Sequence, residues 1–253
     1  MSGTAGKMTE FTVKLADTPV CIRALHPQMK GFLREYLSEE KPELVIETKQ
    51  EDIERERRED LCTREREGLP RQNAGDAYLE TLAIYRQLAE KLAERNVLLF
   101  HGSALAMDGE AYLFAARSGT GKSTHARLWR EAFGERVVMI NDDKPLLQVG
   151  EEGVRVFGTP WNGKHRLGNN ASAPLKALCF LERDSGNRIE RIGLGEAFPL
   201  MLQQCYLPEN LAGAQCVLAM LEKLGRNVKL YRLGCNMEAD AALVSYRGMQ
   251  EEN

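Results

Sequence analysis

The residues of this chain with the plainest chemical purpose are Ser118, Gly119, Thr120, Gly121, Lys122, Ser123 and Thr124. Two glycines one residue apart clear the side chains from a short run of backbone, so that its amides can converge on an anion. The helix expected to follow, through Ala126, Leu128, Trp129 and Phe133, adds its free amides and the positive end of its dipole at the same point. Lys122 brings a point charge to the outer phosphates, and the Ser123 hydroxyl suits Mg2+. The usual first glycine of G-x-x-x-x-G-K-[ST] is Ala116 here. The chemistry indicated is the wrapping of a polyphosphate, with ATP and Mg2+ as the expected cofactors.

About twenty residues further on, the apolar run Val137 to Ile140 ends in Asn141, Asp142 and Asp143. Acids at the carboxyl end of a strand lie where ligands gather in open α/β sheets. One can hold the metal, directly or through water, and the other can accept a proton from an attacking hydroxyl. The bland alternative is a turn, which Asn and Asp favour. His101 ends a strand just before Gly102 and is either structural or part of the same centre. The stretch from Gly158 to Arg166 offers glycines, Trp161 and three potential cations. It reads either as a loop closing over phosphates, with Lys164 or Arg166 stabilising the transferring group, or as a surface hairpin with solvated charges.

The elements needed to position these groups are legible around them. Val97 to Phe100, Ser103 to Met107 and Tyr112 to Ala115 are apolar strands, the last two joined at Asp108, Gly109 and Glu110. Val154 to Phe157, Leu175 to Leu181 and Val228 to Leu233 read as further strands. Gly195 to Cys205, Leu211 to Leu224 and Met237 to Met249 read as helices. Upstream, Phe11 to Ala16 and Val20 to Leu25 predict a hairpin, Pro27 to Leu37 a helix, and Thr48 with Glu51 a capping box opening a helix. The mixed charges from Glu51 to Glu67 suit a solvated helix face, and Tyr78, Leu82, Tyr85, Ala89 and Leu92 an amphipathic helix. The expected division is an N-terminal α+β appendage over 1–75 and a main domain over 76–253.

Composition bounds the function. With 253 residues, 43% of them hydrophobic and 28% charged, the chain can build a real core. Its net charge of -3 gives no general attraction to nucleic acid or anionic membrane, so neither is an expected partner. No apolar run reaches the length of a signal peptide or a spanning helix, and the expected location is cytoplasmic. Six cysteines stand singly, which indicates neither a zinc site nor a disulfide framework.

Taken together, His101-Gly102, SGTGKST from Ser118 to Thr124, and Asp142-Asp143 resemble the catalytic domain of HPr kinase/phosphorylase and its relatives. That domain is similar in its nucleotide fold to ATP-dependent phosphoenolpyruvate carboxykinase. The resemblance covers roughly 97–166 well and the rest weakly. It implies an α/β fold, a P-loop nucleotide-binding domain with a mixed sheet, plus the small appendage. It also implies Lys122 and Ser123 at phosphate and metal, Asp143 at metal, Asp142 as base and His101 near the reacting phosphate. The family's later basic loop is not recognisable, and Gly-Thr-Pro-Trp-Asn-Gly-Lys stands in that neighbourhood. The expected function is Mg-ATP-dependent phosphoryl transfer to a hydroxyl, a serine of a protein or peptide or a small molecule. A module that holds ATP without transfer is the rival, and homo-oligomerisation is left open.

Overall fold

The computed structural model describes residues 8–250 apart from Glu67, Leu69 and Lys164. The chain forms two compact units, Met1–Lys91 and Leu92–Asn253.

In the first unit, β1 (Thr9–Leu15) and β2 (Thr18–Ala24) form the expected hairpin, turning through Ala16 and Asp17 at φ 45° and 57°. The helix expected over 27–37 breaks at Leu33 into α1 (Gln28–Phe32) and a 3-10 turn, Arg34–Tyr36. Next, β3 (Leu44–Glu47) adds parallel to β2, and α2 (Gln50–Arg66) and α3 (Asp76–Ala93) follow.

The predicted capping box does not form. The Thr48 hydroxyl binds the Glu80 carboxylate instead, while Asp52 reaches back to the Lys49 amide at 3.0 Å. Glu80 on α3 is fully buried and also accepts from the Leu25 amide at 2.6 Å, the His26 amide at 2.9 Å and the His26 ring at 2.7 Å. Arg86, one helical face further on, bridges Glu56 at 2.7 Å and Asp52 at 2.9 Å. Buried charges are tolerated only when so paired. These ties group α3 as far as Lys91 with the first unit, so the division falls at 91/92 rather than at 75/76.

The second unit is mixed α/β. Its strands are β4 (Val97–Leu99), β5 (Ser103–Met107), β6 (Glu110–Ala115), β7 (Val137–Asn141), β8 (Leu146–Val149), β9 (Val154–Phe157), β10 (Ser172–Arg183), β11 (Arg188–Arg191) and β12 (Lys229–Cys235). Its helices are α4 (Lys122–Phe133), α5 (Leu194–Leu202), α6 (Leu211–Asn227) and α7 (Asp240–Gln250). The sheet runs β4-β8-β9-β10-β6-β5-β7, with β12 beside β10 and β11 beside β12. Strand β11, Arg188–Arg191, carries a single apolar residue, and β8 is only four residues long, so neither stands out in the sequence.

Alternation along the central strands buries both faces of the sheet. Leu113, Ala115, Leu178 and Phe180 pack with Met201 of α5 and Leu221 and Leu224 of α6. Tyr112, Phe114, Cys179 and Leu181 pack on the other face with Leu128 and Trp129 of α4 and Met249 of α7. Among the described residues, no helix is long and apolar enough to cross a membrane.

Direction matters more to function than order. Strand β6 is parallel to β10, and β10 to β12, while β5 is antiparallel to both β6 and β7. The carboxyl ends of β6, β7, β10 and β12 therefore share one edge with the amino end of β5. Every predicted site residue within the described range sits along that edge.

Candidate functional site

Between β6 and α4 runs the loop 116–121. Gly119 has φ 76° and Gly121, at the cap of α4, φ 128°. A β-carbon at either would touch nothing within 4 Å, so backbone conformation, not space, calls for glycine. Ala116 is buried and is not among the residues with positive φ. It follows β6 directly in ordinary L-residue backbone, which explains why the missing first glycine leaves the loop intact. Ser118, Gly119 and Ser123 are exposed, and Thr120, Gly121 and Thr124 are half-buried.

Lys122 is only 8% exposed, and its Nζ donates to the Ala116 carbonyl at 2.9 Å. Burial lowers its pKa below the usual 10.5, against the opposing pull of Asp143 and then Asp142. The ammonium thus lies within the field of both acids. From the neighbouring strand, Arg183 at the end of β10 donates to the Gly119 carbonyl.

The bend after β7 is held by Asn141. Its Oδ1 accepts from the amides of Asp143 at 2.8 Å and Lys144 at 2.6 Å, and its Nδ2 donates to the Thr159 carbonyl at 3.1 Å and hydroxyl at 3.0 Å. An Asx turn of this kind aims successive side chains apart. Asp142 turns inward, 4% exposed, with Oδ1 accepting from the Ser103 hydroxyl at 2.8 Å. Its other oxygen, Oδ2, is buried with no hydrogen-bond partner among the described residues. Asp143, half-buried, turns instead to His101, whose Nε2 lies 3.5 Å from Asp143 Oδ1.

His101 is fixed from the other side by Gln204. The His101 amide donates to the Gln204 carbonyl at 2.7 Å, and its Nδ1 lies 3.1 Å from Gln204 Oε1. Burial, and then the Lys122 charge, push the imidazole below its usual 6.5 despite Asp143 and Gln204, so it is neutral near pH 7. Gly102 donates its amide to the Asp143 carbonyl at 3.0 Å, and a β-carbon there would lie 2.9 Å from the Phe114 carbonyl oxygen. Here it is close approach that demands glycine.

The stretch 158–166 comes against the acids through Gly163, whose β-carbon would stand 3.5 Å from Asp142 Oδ2 and 3.7 Å from Asp143 Cβ. Lys164 lies outside the described residues, and Arg166 is exposed. The structure thus brings together Lys122, Asp142, Asp143 and His101. Sequence reasoning missed Ser103, Gln204 and Arg183 as contributors. A polar residue inside an apolar strand was the one available sign of Ser103, and nothing marked the other two.

This arrangement sets a buried cation and a helix amino end opposite two differently treated carboxylates. An anion between them meets positive charge from the loop, and Asp142 Oδ2 is left to receive a hydrogen. For Mg2+ the donor set fits, since the Asp143 carboxylate and the Ser123 hydroxyl are hard oxygens. No cluster of three or more His, Cys, Asp or Glu able to hold a metal occurs among the described residues.

No family model matches the chain, and no curated protein matches it. Among solved structures, it is similar to an Hpr(Ser) kinase/phosphatase from Coxiella burnetii, with 14% identity over 51% of this chain and 88% of that one. The TM-score is 0.26, too low for the likeness to bear on activity.

Proposed function

We propose that this protein is a Mg-ATP-dependent phosphotransferase that moves the terminal phosphoryl group to a hydroxyl, with a serine of a protein or peptide as acceptor. The observation that carries this reading is Asp142, buried, with one oxygen occupied by Ser103 and the other bare. A buried polar atom without a partner costs about 1–3 kcal/mol, a cost with a purpose where a proton is to be received.

In this reading the acceptor hydroxyl attacks the terminal phosphorus as its proton passes to Asp142 Oδ2. A new oxygen–phosphorus bond forms, the bond to the bridging oxygen breaks, and ADP departs with that electron pair. Lys122 exchanges the Ala116 carbonyl for phosphate oxygens, and the loop amides hold the rest of the chain of phosphates. Asp143 and Ser123 are the residues that would hold Mg2+, which when bound would supply charge neutralisation. His101, neutral and fixed by Gln204, stands beside Asp143 and keeps its direction. Lys164 is assigned to the charge on the transferring group. Positioning and neutralisation, rather than covalent chemistry by the protein, supply the rate.

The test is transfer of label from terminally labelled Mg-ATP to components of a lysate. Label should appear on protein, and Asp142→Asn should abolish it while calorimetry still detects Mg-ATP binding. Binding without any labelled acceptor would make the chain a nucleotide-holding module. Label that passes a filter retaining protein would make the acceptor a small molecule.

A further inference from the structure

Along the run β7-β5-β6-β10-β12-β11, the strand farthest from the acids after β7 is β11, and among the described residues it pairs with β12 alone. The bond from the Ile192 amide to the Leu230 carbonyl at 2.9 Å fixes which of its backbone groups are spent. Counting back in twos, Glu190 and Arg188 turn their amides and carbonyls to β12, while Ile189 and Arg191 turn theirs to the open edge. The side chains of Ile189 and Arg191 share the face that carries Tyr231, beneath α7. The helix lies close there, since a β-carbon on Gly248 would stand 2.2 Å from Ile189 Cγ2. Between strand and helix opens a cavity of about 440 Å³, walled on the helix side by Val244, Arg247 and Gly248.

Charge says what this edge would take. Arg191 and Arg247 are exposed, and Arg191 also lines an adjoining cavity of about 470 Å³ with Lys229 and with Arg226, which is paired with Glu222. Neither Arg247 nor Lys229 has an ion-pair partner among the described residues. Glu190, the acid of the strand, is engaged by Arg232 at 3.6 Å. A second copy of the chain is the wrong occupant, because two β11 strands paired antiparallel in full register would set Arg188 opposite Arg191 twice over. We propose that the open edge of β11 and the flank of α7 form a docking site for an extended acidic segment of a partner protein, added to the sheet as a further strand. The outward amides and carbonyls of Ile189 and Arg191 supply the ladder. Every second side chain of the segment faces α7, where Arg191 and Arg247 meet carboxylates and Val244 meets an apolar group. The site uses neither nucleotide nor any residue around Lys122, so it stands or falls apart from the phosphotransfer reading.

The experiment reads fluorescence anisotropy of labelled octapeptides on the full chain with no nucleotide present. The probes are a Glu-Val repeat, a Lys-Val repeat, and the Glu-Val repeat with every backbone nitrogen methylated. Glu-Val should bind roughly tenfold or more tighter than Lys-Val, and Arg191→Glu with Arg247→Glu should weaken it about tenfold or more at an unchanged melting temperature. The methylated peptide keeps the charge but cannot donate to the ladder, so it should bind about fivefold or more weaker than its parent. No binding of Glu-Val, equal binding of Glu-Val and Lys-Val, or an unaltered affinity in the double variant would overturn the site. Equal binding of the methylated peptide would reduce it to bare attraction between charges and overturn strand addition.

Discussion

Ser103 and Asp142 lie 39 residues apart, yet one hydrogen bond between them decides which carboxylate oxygen stays bare. Ser103→Ala strips the second oxygen as well and should destabilise the protein by about 1–3 kcal/mol, read as a lowered denaturant midpoint. Gly121→Ala acts differently. At φ 128° a side chain strains the backbone by about 1–3 kcal/mol, so affinity for Mg-ATP should fall with little loss of the remaining core. The loop residues were legible because they are contiguous and their chemistry fits their spacing. The Asp142–Ser103 pairing was not, and neither was the hold of Gln204 on His101 across 103 residues, because both arise only when strands close side by side.

Helix α4 is anchored behind the loop by a buried group of its own. His125 Nε2 lies 3.1 Å from the Ser245 hydroxyl of α7, which also accepts from Trp129 Nε1 at 2.8 Å, and burial lowers the His125 pKa to about 4. Above pH 6.5 the ring is neutral in both folded and unfolded chains and contributes nothing to pH dependence. Below 6.5 the unfolded chain gains a proton that the folded one refuses, so stability falls as the pH drops and levels off only below about 4. The loss should approach about 3 kcal/mol. Urea midpoints from pH 8 to 4 should show a shallower acid decline for His125→Leu than for wild type. Element types were readable where periodicity was strong, as in α3, α4 and β10. The short strands β8 and β11 were not: β8 has four residues, too few to show a period, and β11 has one apolar residue and is made a strand by its pairing with β12. Gly158 shows the same limit. A β-carbon there would meet the Asn169 carbonyl oxygen at 1.9 Å, so Gly158→Ala should cost about 1–3 kcal/mol and lower the melting temperature, a constraint no local pattern announces.

Both units have buried apolar cores, but Met1–Lys91 adds buried polar ties to Val13, Ile22, Leu33, Ile46, Ile53 and Ile84, whereas Leu92–Asn253 is a two-faced sheet between apolar helix layers. Arg86→Met leaves Glu56 buried without its ion-pair partner and should cost the first unit about 3–5 kcal/mol, visible as lost hydrogen-exchange protection in α2 and α3, the helices it joins. The misplaced boundary follows from the same cause: Glu80 and Arg86 look like surface residues of an amphipathic helix until their partners are known. The clasp between Lys122 and the Ala116 carbonyl sets the terms on which the molecule meets its surroundings. With one of its three hydrogens committed to its own backbone, the ammonium keeps two for an arriving anion, so a ligand that is to take the third must first part the lysine from its loop.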